Sequence, residues 1–176
     1  MKRLSVFAAM VVLAAFLHLG CSSNTQTDCS GIRGDYNVNK NITSVSCYGV
    51  TIQNSATVIP STSALNINQT VCELAATEDI SVQSFQIPYT GSIDQDDQFT
   101  LEIENPDALA IPLQLSIEGV GSIGCKFNGS INWDGKKQSS ASLSGQITES
   151  LNKRSDETNP ACPSSCTLQM SFEAAK

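Results

Sequence analysis

Residues 125–148 read CKFNGSINWDGKKQSSASLSGQIT, and their polarity changes with every step. Phe127, Ile131 and Trp133 share one phase, and Lys126, Asn128, Ser130, Asn132 and Asp134 share the other. Further on, Ala141, Leu143 and Ile147 oppose Ser140, Ser142, Ser144 and Thr148. Successive side chains of a strand point to opposite faces, so a period of two predicts strands with one buried face. Asp134-Gly135, between the two alternating runs, predicts a hairpin turn.

The same period continues on both sides. Phe99, Leu101 and Ile103 alternate with Thr100, Glu102 and Glu104, and Leu113, Leu115 and Ile117 with Gln114, Ser116 and Glu118. Near the end, Leu168, Met170 and Phe172 alternate with Thr167, Gln169, Ser171 and Glu173. Tyr89-Thr90-Gly91 and Asn105-Pro106-Asp107 predict turns, and Gly119 to Gly124 a turn or bulge before a strand. In the first half, Ile42 to Ile52 and Ala56 to Ile59 read as strands, while Thr70-Val71-Cys72-Glu73 has the letters of a capping box and predicts one helical turn. Many short strands with frequent turns predict an all-β fold, an antiparallel β-sandwich or small β-barrel, spanning residues 35–176 as one domain.

The amino end is built differently. Lys2 and Arg3 precede an apolar run from Leu4 to Leu17, broken only by Ser5 and shorter than the roughly 20 residues a membrane-spanning helix requires. A positive end followed by a short apolar run is a secretory signal. Leu17-His18-Leu19-Gly20-Cys21 resembles the lipobox of bacterial lipoproteins, with Gly20 and Cys21 at its two most restrictive positions. His18 stands where that family usually has Leu, and Leu19 where a small residue is commoner. The resemblance implies a signal peptide over residues 1–20, diacylglycerol and fatty acyl groups (palmitate among them) on Cys21, and the membrane as partner through that lipid. It also implies a cell-envelope location, with Ser22 compatible with the outer membrane. Residues 21–34 are polar and contain glycine, which predicts a flexible tether. An ordinary signal cut near Gly20 or Ser23, releasing a soluble secreted or periplasmic protein, is the alternative.

Charge restricts the partners. The signal takes two of ten basic residues and none of seventeen acidic ones, so eight against seventeen leaves −9 on residues 21–176. Such a surface repels nucleic acid and anionic headgroups. Seven cysteines are an odd set. With Cys21 given to lipid, Cys29, Cys47, Cys72, Cys125, Cys162 and Cys166 remain, an even set that an oxidising compartment would pair as three disulfides. Phase puts Cys125 and Cys166 on the core face, which allows Cys125 to bond Cys166 or the nearby Cys162. Zinc is the competing use of these thiols, but Cys162 and Cys166 form the only close pair and no His follows His18.

The same shortage limits catalysis. Without a His beyond the signal there is no imidazole base and no Ser-His-Asp triad. Asp94, Asp96 and Asp97 cluster beside Gly91 and read as a solvated loop, with weak calcium binding as the functional alternative. No cofactor motif is complete. Three function classes follow: a non-catalytic tethered β-domain that binds an envelope protein or supports the envelope; a barrel that binds a small apolar ligand, lined by Phe127, Trp133, Leu143, Met170 and Phe172; and, last, a hydrolase working through paired carboxylates.

Overall fold

The computed structural model describes residues 29–50, 61–80, 85–103, 106–107 and 110–176. The signal peptide, Cys21, the tether as far as residue 28 and the strand expected at Ala56–Ile59 lie outside the described residues. Among the described residues nine strands run in chain order: β1 (Gly34–Cys47), β2 (Thr62–Thr70), β3 (Glu73–Ile80), β4 (Phe85–Ile93), β5 (Gln98–Ile103), β6 (Ile111–Ile117), β7 (Gly121–Ser139), β8 (Ser142–Lys153) and β9 (Ser165–Ala175).

All pairings are antiparallel, and the sheet closes on itself. From β1 to β5 each strand pairs with the next, as do β7, β8 and β9, and β9 returns to β1. The long β7 completes the ring. One of its edges holds β8, while the other holds β5 at Asn132–Lys136 and β6 at Gly121–Phe127. Strands β5 and β6 therefore lie end to end along one edge of β7 as a single interrupted stave. The result is an eight-staved up-and-down barrel, which resolves the choice between sandwich and barrel.

Closure turns the alternation into an inside and an outside. Tyr36, Leu65, Tyr89, Phe99, Leu101, Phe127, Trp133, Leu143, Ile147, Leu168, Met170 and Phe172 are all buried in one continuous core. The outward phase carries Asn37, Asn39, Asn66, Asn68, Thr90, Thr100, Gln146, Gln169 and Glu173, all exposed. A barrel that spans a bilayer needs the reverse, an apolar outer band. This outer wall is suited to water.

Two glycine-marked turns are corrected by the register. Gly135 lies inside β7 and Gly91 inside β4; the β7–β8 turn is at Ser140–Ala141. Gly91 lets β4 approach β5, since a Cβ there would strike the Thr100 carbonyl. Gly135 makes room for an aromatic ring. Across four staves the register runs Phe99, Gly135, Gly145, Phe172. The two phenylalanines lean over the paired glycines and meet edge to face, centroids 6.2 Å apart. Glycine here answers a shortage of space, and the hairpin statistics of Asp-Gly do not apply. A third correction concerns Thr70-Val71-Cys72-Glu73, which joins β2 to β3 through a tight turn with Val71 at φ 58°, so no helical turn forms.

Three disulfides brace the ends: Cys29–Cys72, Cys47–Cys166 and Cys125–Cys162. Cys125 thus takes the nearby Cys162 and Cys166 takes Cys47, its partner across the β1–β9 ladder. The first bond pins the segment ahead of β1 to the β2–β3 turn. Beside it the buried Ile32 donates its N–H to Gln69 Oε1 at 2.8 Å and accepts from the Tyr36 hydroxyl at 2.8 Å.

Gly135→Ala is expected to destabilise the protein by about 1–3 kcal/mol, because the methyl overlaps the Phe99 ring. Asp134→Ala, which would matter in a hairpin turn, is expected to stay within about 0.5 kcal/mol. Urea midpoints of the two variants check both.

Candidate functional site

The described chemistry-bearing groups converge inside the barrel, at residues the alternation had hidden. Lys40 continues the inward phase of Tyr36 and Val38 on β1, Glu78 that of Leu74 and Ala76 on β3, and Glu149 that of Leu143 and Ile147 on β8. Each therefore points inward with its apolar neighbours. The side chains of Lys40 and Glu78 are 5% and 1% exposed, and Glu149 is 5% exposed.

Lys40 Nζ is in direct contact with Glu78 Oε1. The same oxygen accepts from Ser63 Oγ at 2.5 Å, and Oε2 accepts from the Tyr89 hydroxyl at 2.9 Å. Lys40 also sits over the Trp133 ring, 5.3 Å from its centroid. Trp133 in turn meets Phe172 at 4.8 Å and Tyr89 at 5.9 Å. The polar cluster thus rests directly on the aromatic packing.

Two carboxylates face one ammonium, so full ionisation would leave a net negative charge in a dry interior. An unpaired buried charge is costly, and such groups take up a proton instead. Accordingly burial pushes the Glu149 carboxyl up to about 7, Lys40 pulls it back and Glu78 pushes it further. The Tyr89 hydroxyl is raised well above the usual phenol range, first by burial and then by the negative charge of Glu78, with the Trp133 indole working in the opposite direction. Among the described residues, Glu149 Oε2 and Trp133 Nε1 make no hydrogen bond.

The residues singled out from sequence are distributed differently. Phe127, Trp133, Leu143, Met170 and Phe172 all face inward and are buried, with Trp133 and Phe172 packed on each other. In the acidic loop Asp94 Oδ1 accepts from the N–H groups of Asp96 and Gln98, both at 2.9 Å, while Asp97 Oδ1 is buried without a hydrogen-bond partner among the described residues. Among the described residues no group of His, Cys, Asp and Glu is arranged to hold a metal ion. Recesses on the outer wall of β1 to β4 are shallow and lined by Asn, Thr and Asp side chains. The interior cluster does have a signal in the sequence that the apolar alternation alone does not bring out: a charged letter in the apolar phase of three different strands. No family model and no curated protein matches the chain.

Tyr89→Phe removes the donor to Glu78 Oε2 and is expected to cost about 1–3 kcal/mol in chemical denaturation. For pH the sign follows from Glu149, whose folded value of about 7 lies above its ordinary 4.5. The folded state holds the proton more tightly, so this contribution is whole below about pH 4.5 and declines to nothing as pH rises to about 7. Its ceiling is about 3 kcal/mol. Glu149→Gln, neutral throughout, is expected to flatten that decline when the two proteins are unfolded side by side from pH 4.5 to 8.

Proposed function

We propose that this chain is a bacterial cell-envelope lipoprotein, held to the membrane through lipid on Cys21, whose barrel binds an envelope protein or supports the envelope without catalysing a reaction. The observation that carries the reading is the packed interior. Trp133, Phe172, Phe99 and Tyr89 meet ring to ring inside the barrel, where the sequence expected an apolar ligand cavity. That packing favours a domain working through its outer surface over the apolar-ligand barrel. A carboxylate hydrolase is disfavoured for a related reason: Glu78 and Glu149 are enclosed among core side chains, and Glu78 is already engaged by Lys40, Ser63 and Tyr89.

Two further features support the address. Three disulfides suit an oxidising compartment outside the cytoplasm. Among the described residues the outer wall of the barrel is polar and presents no apolar band, so membrane attachment would fall to the lipid. Several acyl chains together supply that anchoring, where one chain alone holds only marginally. Ser22 after the anchor is compatible with placement in the outer membrane.

Mass analysis of the membrane fraction from the native host is expected to find an amino-terminal peptide beginning at Cys21 and heavier by acyl groups. Cys21→Ser is expected to abolish both the increment and the membrane association. A chain that keeps its first twenty residues, or that leaves the membrane fraction without any change at Cys21, overturns the reading.

A further inference from the structure

We infer that Lys40 and Glu78 are joined by an amide bond between Nζ and Cδ, a covalent link from β1 to β3 across the intervening β2, formed by the folded chain on itself. The inference is independent of the anchoring reading, since it rests on the barrel interior alone.

Four observations lead to it. The amine and the carboxyl group are in direct contact, and both are almost wholly enclosed. The carboxyl group is held at both oxygens by hydroxyl donors, Ser63 on Oε1 and Tyr89 on Oε2, which draw electron density from Cδ and stabilise charge that develops on oxygen during attack. A second carboxyl group, Glu149, is buried on the inward face of β8. The surroundings are apolar: Trp133 and Phe172 on one side, Leu65 and Ile87 opposite Glu78 in its ladders.

The reaction is a condensation and needs no co-reactant. The bond from Nζ to Cδ forms, and the bond from Cδ to one carboxyl oxygen breaks. Two of the three ammonium protons leave with that oxygen as water; the third remains on the amide nitrogen. In bulk water this equilibrium favours the separate acid and amine, because water is abundant. A dry core removes that opposition, and two groups fixed in contact react with effective concentrations that reach about 10⁵–10⁸ M in well-oriented cases. The proton transfers stay within the pair, from the attacking nitrogen to the carboxyl oxygen that departs. The link replaces a buried ammonium and a buried carboxylate by a neutral amide, which leaves the net charge of the interior unchanged and removes the cost of keeping two ions out of water.

Trypsin tests the bond without ambiguity, because Lys40 and Lys126 are consecutive cleavage sites after Arg33. The full chain is reduced, alkylated and unfolded in denaturant so that burial offers no protection, then digested and weighed. The expected product is Gly34–Lys126 in one piece, lighter by one water than its sequence, with fragmentation joining Lys40 to Glu78. Cleavage after Lys40 with every mass at its full sequence value overturns the inference and leaves an ordinary buried ion pair. Lys40→Arg keeps a trypsin site and a cation but removes the attacking primary amine, and is expected to cleave after position 40 with every mass at its sequence value; a one-water loss that persists in this variant overturns the assignment.

Discussion

A sheet closed on itself commits every second side chain to a cylinder of limited bore, and the rest of this structure follows from filling that cylinder. Pairing of β9 with β1 and of β7 with β5 leaves no choice of register at the seam, because a slip by one residue would turn Trp133, Phe172 and Phe99 into water. The rings are too large to stand side by side at one height on flanking residues of ordinary size. Gly135 and Gly145 resolve this by giving up their own volume beneath Phe99 and Phe172. Aromatic bulk and glycine are therefore one feature seen from two strands.

That filling also explains why three ionisable groups can live inside. Until it is linked, the Lys40 ammonium sits over the Trp133 ring, 5.3 Å from its centroid, and the attraction between a cation and an aromatic face partly replaces lost hydration. Glu78 finds an ammonium and two hydroxyl donors. Glu149 lacks an equivalent partner and responds by holding its proton more tightly. Each group meets the penalty of burial by a different physical route, and together they form the part of the interior with capacity for chemistry.

How much of this could be read in the letters differs from residue to residue. The period of two at Phe99–Ile103, Leu113–Ile117 and Leu168–Phe172 gave the strands and their buried faces, because burial on one face leaves a direct imprint on polarity. Six cysteines after Cys21 gave the number of disulfides but not their pairing, which depends on strands brought together from 119 positions apart in the case of Cys47 and Cys166. Gly135 was misleading because Asp-Gly has two physical uses, and only the neighbour across the ladder distinguishes a turn from a space for a ring. Lys40, Glu78 and Glu149 are hard to see in the letters for a simpler reason. Charge is ordinarily a mark of the outside, and an alternation searched for apolar letters treats an in-phase Glu as noise. Such a letter, repeated with opposite signs on separate strands, is itself a pattern.

The clamp at Cys29 has a mechanical meaning. Traction on the chain ahead of it reaches the sulfur bridge to Cys72 before it reaches Gly34, the first residue of β1. The load is passed to the tip of the β2–β3 hairpin, whose two staves must be drawn out together along their length. Without that bridge the same force would peel β1 from the seam one hydrogen bond at a time. Force entering from the amino-terminal side is thus converted from unzipping to shear, the direction in which a closed barrel yields last.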